Sequence, residues 1–262
     1  EAATDWLARY STEWVFAGDG DGRRLAVLES QGIHAEVTYP GPVLTGGISP
    51  AMYLGSVTAD GLDAVWPALH AYNRWLATYV ETDPKRLIGL GQTAVRSVAE
   101  AVEDFERIKA LGFKGVMMPG RPATDFDYDD PQFDRFWKIC ADNDIAITIH
   151  LGARVARPQM IRFLPNLVMS KVCMAEPIAI MIFGGVFDRF PTLRFAAIES
   201  GVGWMSWMAE YMDSIYANQR HWLQLDLDHT PSFYMDQNIY GSFIRDPVGI
   251  RNRNLPGGRN IM

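Results

Sequence analysis

Residues 145–152 read Ile145-Ala146-Ile147-Thr148-Ile149-His150-Leu151-Gly152. Side chains of an extended chain alternate with a period of two. Ile145, Ile147, Ile149 and Leu151 therefore share one face, and Ala146, Thr148 and His150 the other. The apolar face suits burial under helices. Small Ala146 and Thr148 suit the crowded interior of a parallel barrel. His150 then stands at the C-terminal end of its strand, pointing inward, where barrel enzymes gather their catalytic groups. Spacing alone leaves two readings of His150 open: a metal ligand or general base, or a hydrogen-bonded core histidine.

Working outward, the same kind of run recurs at 33–39, 87–92, 113–118, 193–198 and 239–244, with a last one at 260–262. Near-continuous apolar runs mark strands covered by helices on their outer side. Amphipathic helices separate them. Ser97 and Glu100 form a capping box before Val98, Ala101, Val102, Phe105 and Ile108, and Gly112 supplies the stop. Asp130 and Pro131 open a helix whose Phe133, Phe136, Trp137 and Cys140 make one stripe. Trp204, Trp207, Met208 and Tyr211 repeat that spacing, and both stripes read as core packing. Alternation of strand and helix means a parallel α/β fold. With neither a G-x-G-x-x-G nor a P-loop after the early strands, nucleotide-binding sheets lose ground to a barrel. Six whole strands and one stub fit a (β/α)8 TIM barrel if one strand precedes Glu1 and the eighth starts at Asn260. The expectation is a single barrel domain over 1–262, incomplete at both ends, with open edges that invite aggregation or a homo-oligomer covering them.

The 262 residues, 48% hydrophobic, suit one large core. A net charge of -7 without a basic run argues against nucleic acid as a partner. No apolar run reaches membrane-spanning length. Cys140 and Cys173 form no CxxC, so a disulfide framework is not expected and a cytoplasmic location is the default.

Other candidates for chemistry lie after the strands. Glu199 and Ser200 end the 193–198 run, and one of the two faces inward; they are the catalytic candidates beside His150. Gly201-Val202-Gly203 opens a helix whose amides suit an anion, although close packing of the turn explains these glycines better. Arg154, with Arg157 and Arg162, follows His150, and Arg245 precedes Asp246 and Pro247. Arg154 and Arg245 are the candidates for binding a substrate carboxylate. Asp246 reads as a turn or cap residue. His34, His70, His221 and His229 read as structural or solvated. A complete metal site cannot be assembled from this sequence, which lacks an HxH, an HExxH and a Cys/His cluster.

Longer segments carry a resemblance. AYNRWLATYVETDPKRLIGL (71–90), ERIKALGFKGVMMP (106–119), the segment from Tyr128 to Gly152 ending in IHLG, GGVFDRFPTLRFAAIESGVGWMSWMAEYMD (184–213) and PSFYMDQNIYGSFIRDP (231–247) follow one another in the order found in the amidohydrolase-2 family. The chain resembles that family over nearly its whole length. The family includes aminocarboxymuconate-semialdehyde decarboxylase, aromatic-acid decarboxylases and related hydrolases. The resemblance implies a barrel with one divalent metal, zinc or manganese, acting on a small-molecule substrate. His150 matches the family's strand-five histidine ligand. The strand-one ligands and strand-eight aspartate have no counterpart within these 262 residues. Many members carry a histidine at the end of strand six, where this chain has Ser200 within Glu199-Ser200-Gly201. That departure places hydrolysis ahead of non-oxidative decarboxylation. A non-catalytic barrel that binds or scaffolds is the reading from another class.

Overall fold

The structure, a computed structural model, describes residues 23–39, 59–150 and 163–262. Its elements run α1 (Arg23–Ser30), β1 (Glu36–Thr38), α2 (Ala59–Val80), β2 (Leu87–Gly89), β3 (Gly91–Gln92), α3 (Val98–Ala110) and β4 (Gly115–Met118). A 3-10 turn (Pro131–Phe133), α4 (Asp134–Asp142), β5 (Ala146–His150), α5 (Phe163–Val172), α6 (Ala175–Phe183), α7 (Val186–Arg189) and β6 (Phe195–Ile198) follow. The chain closes with α8 (Gly203–Leu223), α9 (Pro231–Asn238), β7 (Ile239–Gly241) and α10 (Pro247–Asn252).

Every strand pairing is parallel, and the strands stand side by side in chain order: β1-β2, then β3-β4-β5-β6-β7. A doubly wound sheet reverses its order at a switch point. Here the order never reverses, which is the winding of a barrel. The run 87–92 was expected as one strand; Leu90 drops out of the ladder, so β2 pairs back to β1 and β3 forward to β4. The terminal stub is present as a parallel bridge between Gly241 and Ile261. Among the described residues the ladder stays open, without a pairing that returns from Ile261 to β1.

The two faces of the sheet differ as the alternation requires. Val116, Met118, Ile147, Ile149, Phe195, Ala197 and Ile239 join the main core under the helices. Leu90 and Met117 lie on the other face with Tyr39 packed against them. The α4 stripe is as expected: Phe133, Phe136, Trp137 and Cys140 are all fully buried, each large side chain contributing roughly 1.5–3 kcal/mol. The α8 stripe holds only in part: Met208 is buried and Trp204 packs against the core. Trp207 is 64% and Tyr211 52% exposed, and their rings stack on each other outside the core. Met205, Ala209, Met212 and Tyr216 complete the buried side with Met208. The first half of α8 carries large apolar side chains on more than one flank, so spacing could not say which turns inward.

Caps set the helix ends. Ser97 Oγ accepts the Glu100 N–H at 3.2 Å, while the Glu100 carboxylate turns to Arg96 rather than closing the box. Gly112, at φ +80°, ends α3 and lets the Phe113 N–H reach the Ile108 carbonyl. Two buried polar clamps tie α2 to its neighbours. Asp104 accepts from Thr93 Oγ1 at 2.9 Å and lies 2.6 Å from His70 Nε2. Asn73 bonds both backbone groups of Gln92, each at 2.9 Å.

Candidate active site

The C-terminal ends of β5, β6 and β7 meet in one place. His150 ends β5, 7% exposed, and pairs in register with Ile198 of β6. Strict alternation would turn Ser200 to the same side as Ile198 and Ala196. It does not, because Glu199 adopts φ +53°, a left-handed conformation costly for a side chain with a Cβ. That turn ends the strand and swings Glu199 toward His150. Their Oε2 and Nε2 atoms lie 3.7 Å apart. The backbone of Glu199 is held on both sides: its N–H donates to Ser242 Oγ at 2.9 Å, and its carbonyl accepts from Lys171 Nζ.

Ser200 is fully buried, and its hydroxyl donates to the carbonyls of Ala197 and Gly201. Of the two catalytic candidates, Glu199 thus faces His150, and Ser200 is occupied in shaping the turn. The anion at the Gly201-Val202-Gly203 helix start belongs to this same chain. Asp246 Oδ2 accepts the Val202 and Gly203 N–H groups, both at 2.7 Å, and Oδ1 accepts from Gly249 at 2.8 Å. Burial pushes the Asp246 carboxyl up, but the amides of Gly249, Val202 and Gly203 outweigh it and hold the group below the usual carboxylate value. Asp246 therefore fastens the β7 exit to the start of α8. Close packing accounts for the glycines: a Cβ on Gly249 would stand 2.2 Å from Val202 Cγ2.

Tyr39, just past β1, is a site residue that the sequence reading missed. Its ring centroid lies 5.5 Å from that of His150. Burial first, and then the charge of Glu199, raise its phenol above the ordinary value. Its place at a strand end before Pro40 was the available signal. Arg245 is exposed in the loop after β7. Arg154 lies outside the described residues, as do Arg157 and Arg162.

Two side chains able to ligate a divalent metal stand side by side here. His150 supplies an imidazole nitrogen and Glu199 a carboxylate oxygen, both suited to zinc or manganese. Among the described residues, no group of three or more His, Cys, Asp or Glu side chains converges to hold an ion. Cys140 and Cys173 are free thiols, and Cys140 is buried on the inner face of α4 with its thiol pushed up by burial. No helix among the described residues is long and apolar enough to cross a membrane.

Comparison with known proteins adds three kinds of likeness. Residues 26–247 match the sequence model of a family described as amidohydrolase. A 2-amino-3-carboxymuconate-6-semialdehyde decarboxylase from Dictyostelium discoideum is 32% identical over 133 residues, which is 49% of this chain and 36% of that protein. The chain thus matches little more than a third of that relative's length. Among solved structures, 5-carboxyvanillate decarboxylase from Sphingomonas paucimobilis is 23% identical with a TM-score of 0.67, over 92% of this chain and 70% of the other. The manganese-bound 5-carboxyvanillate decarboxylase from Novosphingobium aromaticivorans is 19% identical with a TM-score of 0.74, over 93% and 70%. At these identities the structural likeness establishes the fold.

Proposed function

Since this chain belongs to the amidohydrolase family over residues 26–247, we propose that it serves a metal-dependent enzyme removing carbon dioxide from a small carboxylic acid without an oxidant. The carrying observation is the pairing of His150 with Glu199 at the ends of adjacent strands. The sequence reading placed hydrolysis ahead, because the family's strand-six histidine is replaced by Ser200. Two things weigh the other way. The relative at 32% identity is a decarboxylase, and Glu199 occupies the space beside His150 that a second acid–base group needs.

In this reading His150 holds a divalent metal, with zinc and manganese the candidates; the Novosphingobium relative binds manganese. Bound there, such an ion supplies charge that orients and polarises the substrate. The bond from the carboxylate carbon to its neighbour breaks, carbon dioxide leaves, and the electron pair stays on the neighbouring carbon. Glu199 delivers a proton to that carbon and regains one from solvent, which its 43% exposed side chain permits. Arg245, exposed in the loop after β7, is the candidate for a second substrate carboxylate. A net charge of -7 without a basic run favours a small molecule over nucleic acid as partner.

The test is direct. Purified protein supplied with manganese is offered a panel of aromatic and unsaturated carboxylic acids, alongside amides, esters and lactones, and carbon dioxide release is measured. Metal-dependent release from an acid supports the reading. Metal-dependent cleavage of an amide, ester or lactone without carbon dioxide release overturns it in favour of hydrolysis.

A further inference from the structure

Gln92 ends β3 with a fully buried side chain. Its backbone N–H and carbonyl are both taken by Asn73. Its side-chain Oε1 and Nε2 are buried and have no hydrogen-bond partner among the described residues. Buried polar groups in native proteins are nearly always partnered, because an unmet amide opposes folding.

The direction of this side chain follows from its neighbours. A Cβ on Gly91 would meet Ile108 of α3 at 2.6 Å, so residue 91 faces the helix layer. Alternation then turns Gln92 to the barrel interior. Leu90 confirms the parity: a Cβ on Gly115 would stand 2.4 Å from Leu90 Cδ2, across the interior face. Gln92 pairs with Met117, and Met117 with Thr148. His150 is two residues further along that same face of β5, about 7 Å toward the mouth. Gln92 therefore lies in the interior below the His150–Glu199 pair, in the same layer as Met117 and Thr148.

We propose that Gln92 is a substrate-binding residue that reads a hydrogen-bond donor next to a carboxylate. A planar carboxamide offers an N–H donor and a carbonyl acceptor side by side. Its complement is an acid whose neighbouring carbon carries an amino or hydroxyl group: the carboxylate oxygen accepts from Nε2, and the neighbouring N–H or O–H donates to Oε1. The acid belongs to the decarboxylase reading, on which this assignment rests; the unpartnered carboxamide does not depend on it. A neutral amide recognises the pair without competing for the charge of Glu199 or of the metal.

The experiment uses Gln92→Met, close in length and volume but without either polar atom. Binding of 2-aminobenzoate, with benzoate as control, is titrated calorimetrically into the purified protein, and thermal unfolding of the free protein is followed in parallel. The wild type should bind 2-aminobenzoate more tightly than benzoate. Q92M should lose on the order of tenfold or more for 2-aminobenzoate, should bind benzoate with a smaller loss, and should melt at or above the wild-type temperature. A Q92M protein that melts several degrees lower or fails to fold shows that an ordered water or the fold itself uses the amide, and overturns the proposal. So does Q92N, which keeps the amide but draws it back, if it binds 2-aminobenzoate as well as wild type does. Failure of the wild type to bind either acid overturns the ligand class together with the decarboxylase reading. Binding of both acids with Q92M equal to wild type overturns the role of Gln92 alone.

Discussion

Glu199 reaches His150 only because its backbone is left-handed: at φ +53° the carboxylate comes within 3.7 Å of the imidazole, while Ser200 turns back into the chain. Of the four described non-glycine residues with positive φ, Val95, Asp144, Glu199 and Gln224, Glu199 is the one paired with the strand-end histidine. Strain of this kind concentrates at functional sites.

That relationship sets opposite signs for stability and turnover. Glu199→Gly removes the Cβ that makes the left-handed turn costly, less the entropy that glycine loses on folding, so stability should hold or rise by up to about 1 kcal/mol. Turnover should fall on the order of 10²–10⁴-fold with the proton donor gone. Denaturant unfolding and carbon dioxide release on the same preparation check both. A variant that loses stability and keeps activity would give Glu199 a purely structural role.

His150→Ala should cost metal before it costs fold. The imidazole is the ligand this reading assigns to the metal, and its removal should lower zinc or manganese affinity more than tenfold. Metal content after dialysis, measured by elemental analysis, is the readout. Unchanged stoichiometry would return His150 to the role of a hydrogen-bonded core residue.

How far the sequence carried this picture varies from residue to residue. The period-two pattern at 145–151 placed His150 inward at a strand end because one whole face was apolar and the other small, and the structure has it there. Helix spacing found the α4 stripe but misjudged Trp207 and Tyr211, since a helix apolar on two flanks does not announce which one packs. Glu199 and Ser200 could not be separated, because alternation fails where a strand ends in a left-handed residue. Gln92 gave no signal at all: a glutamine after Gly91 looks polar and exposed until the sheet closes over it.

Asp246 should make the β7 exit sensitive to acid. Its carboxyl is held below the ordinary value by the amides of Val202, Gly203 and Gly249, against the push of burial. Its contribution is therefore complete above the unfolded-state value, about 4, and is lost as pH falls through the lower folded-state value. Asp246→Ala should cost about 2 kcal/mol at neutral pH. Below about pH 4 the difference from wild type should shrink, because the wild type loses its own charged cap there. Urea unfolding at pH 7 and pH 3 measures both points, and a gap that widens in acid would contradict the assignment.

Asn73 gives the last test, because it acts on the interior from a helix. Its Nδ2 donates to the Gln92 carbonyl and its Oδ1 accepts the Gln92 N–H, each at 2.9 Å, in a pocket where Asn73 is 3% exposed. The side chain thus stands in for a neighbouring strand where β3 ends. Asn73→Ala leaves a donor and an acceptor unmet in a buried place and should destabilise by about 3 kcal/mol. Asn73→Asp keeps the acceptor for the N–H but sets a carboxylate oxygen against the Gln92 carbonyl. Burial and that carbonyl both favour the protonated acid, which can donate as Nδ2 did. The Asp variant should therefore be at least as destabilised as the Ala variant at pH 7 and should recover part of the loss at pH 5, where the Ala variant should show no comparable gain. Unfolding free energies of both variants at the two pH values decide it. An Ala variant within about 0.5 kcal/mol of wild type would mean that the end of β3 is held by something other than Asn73.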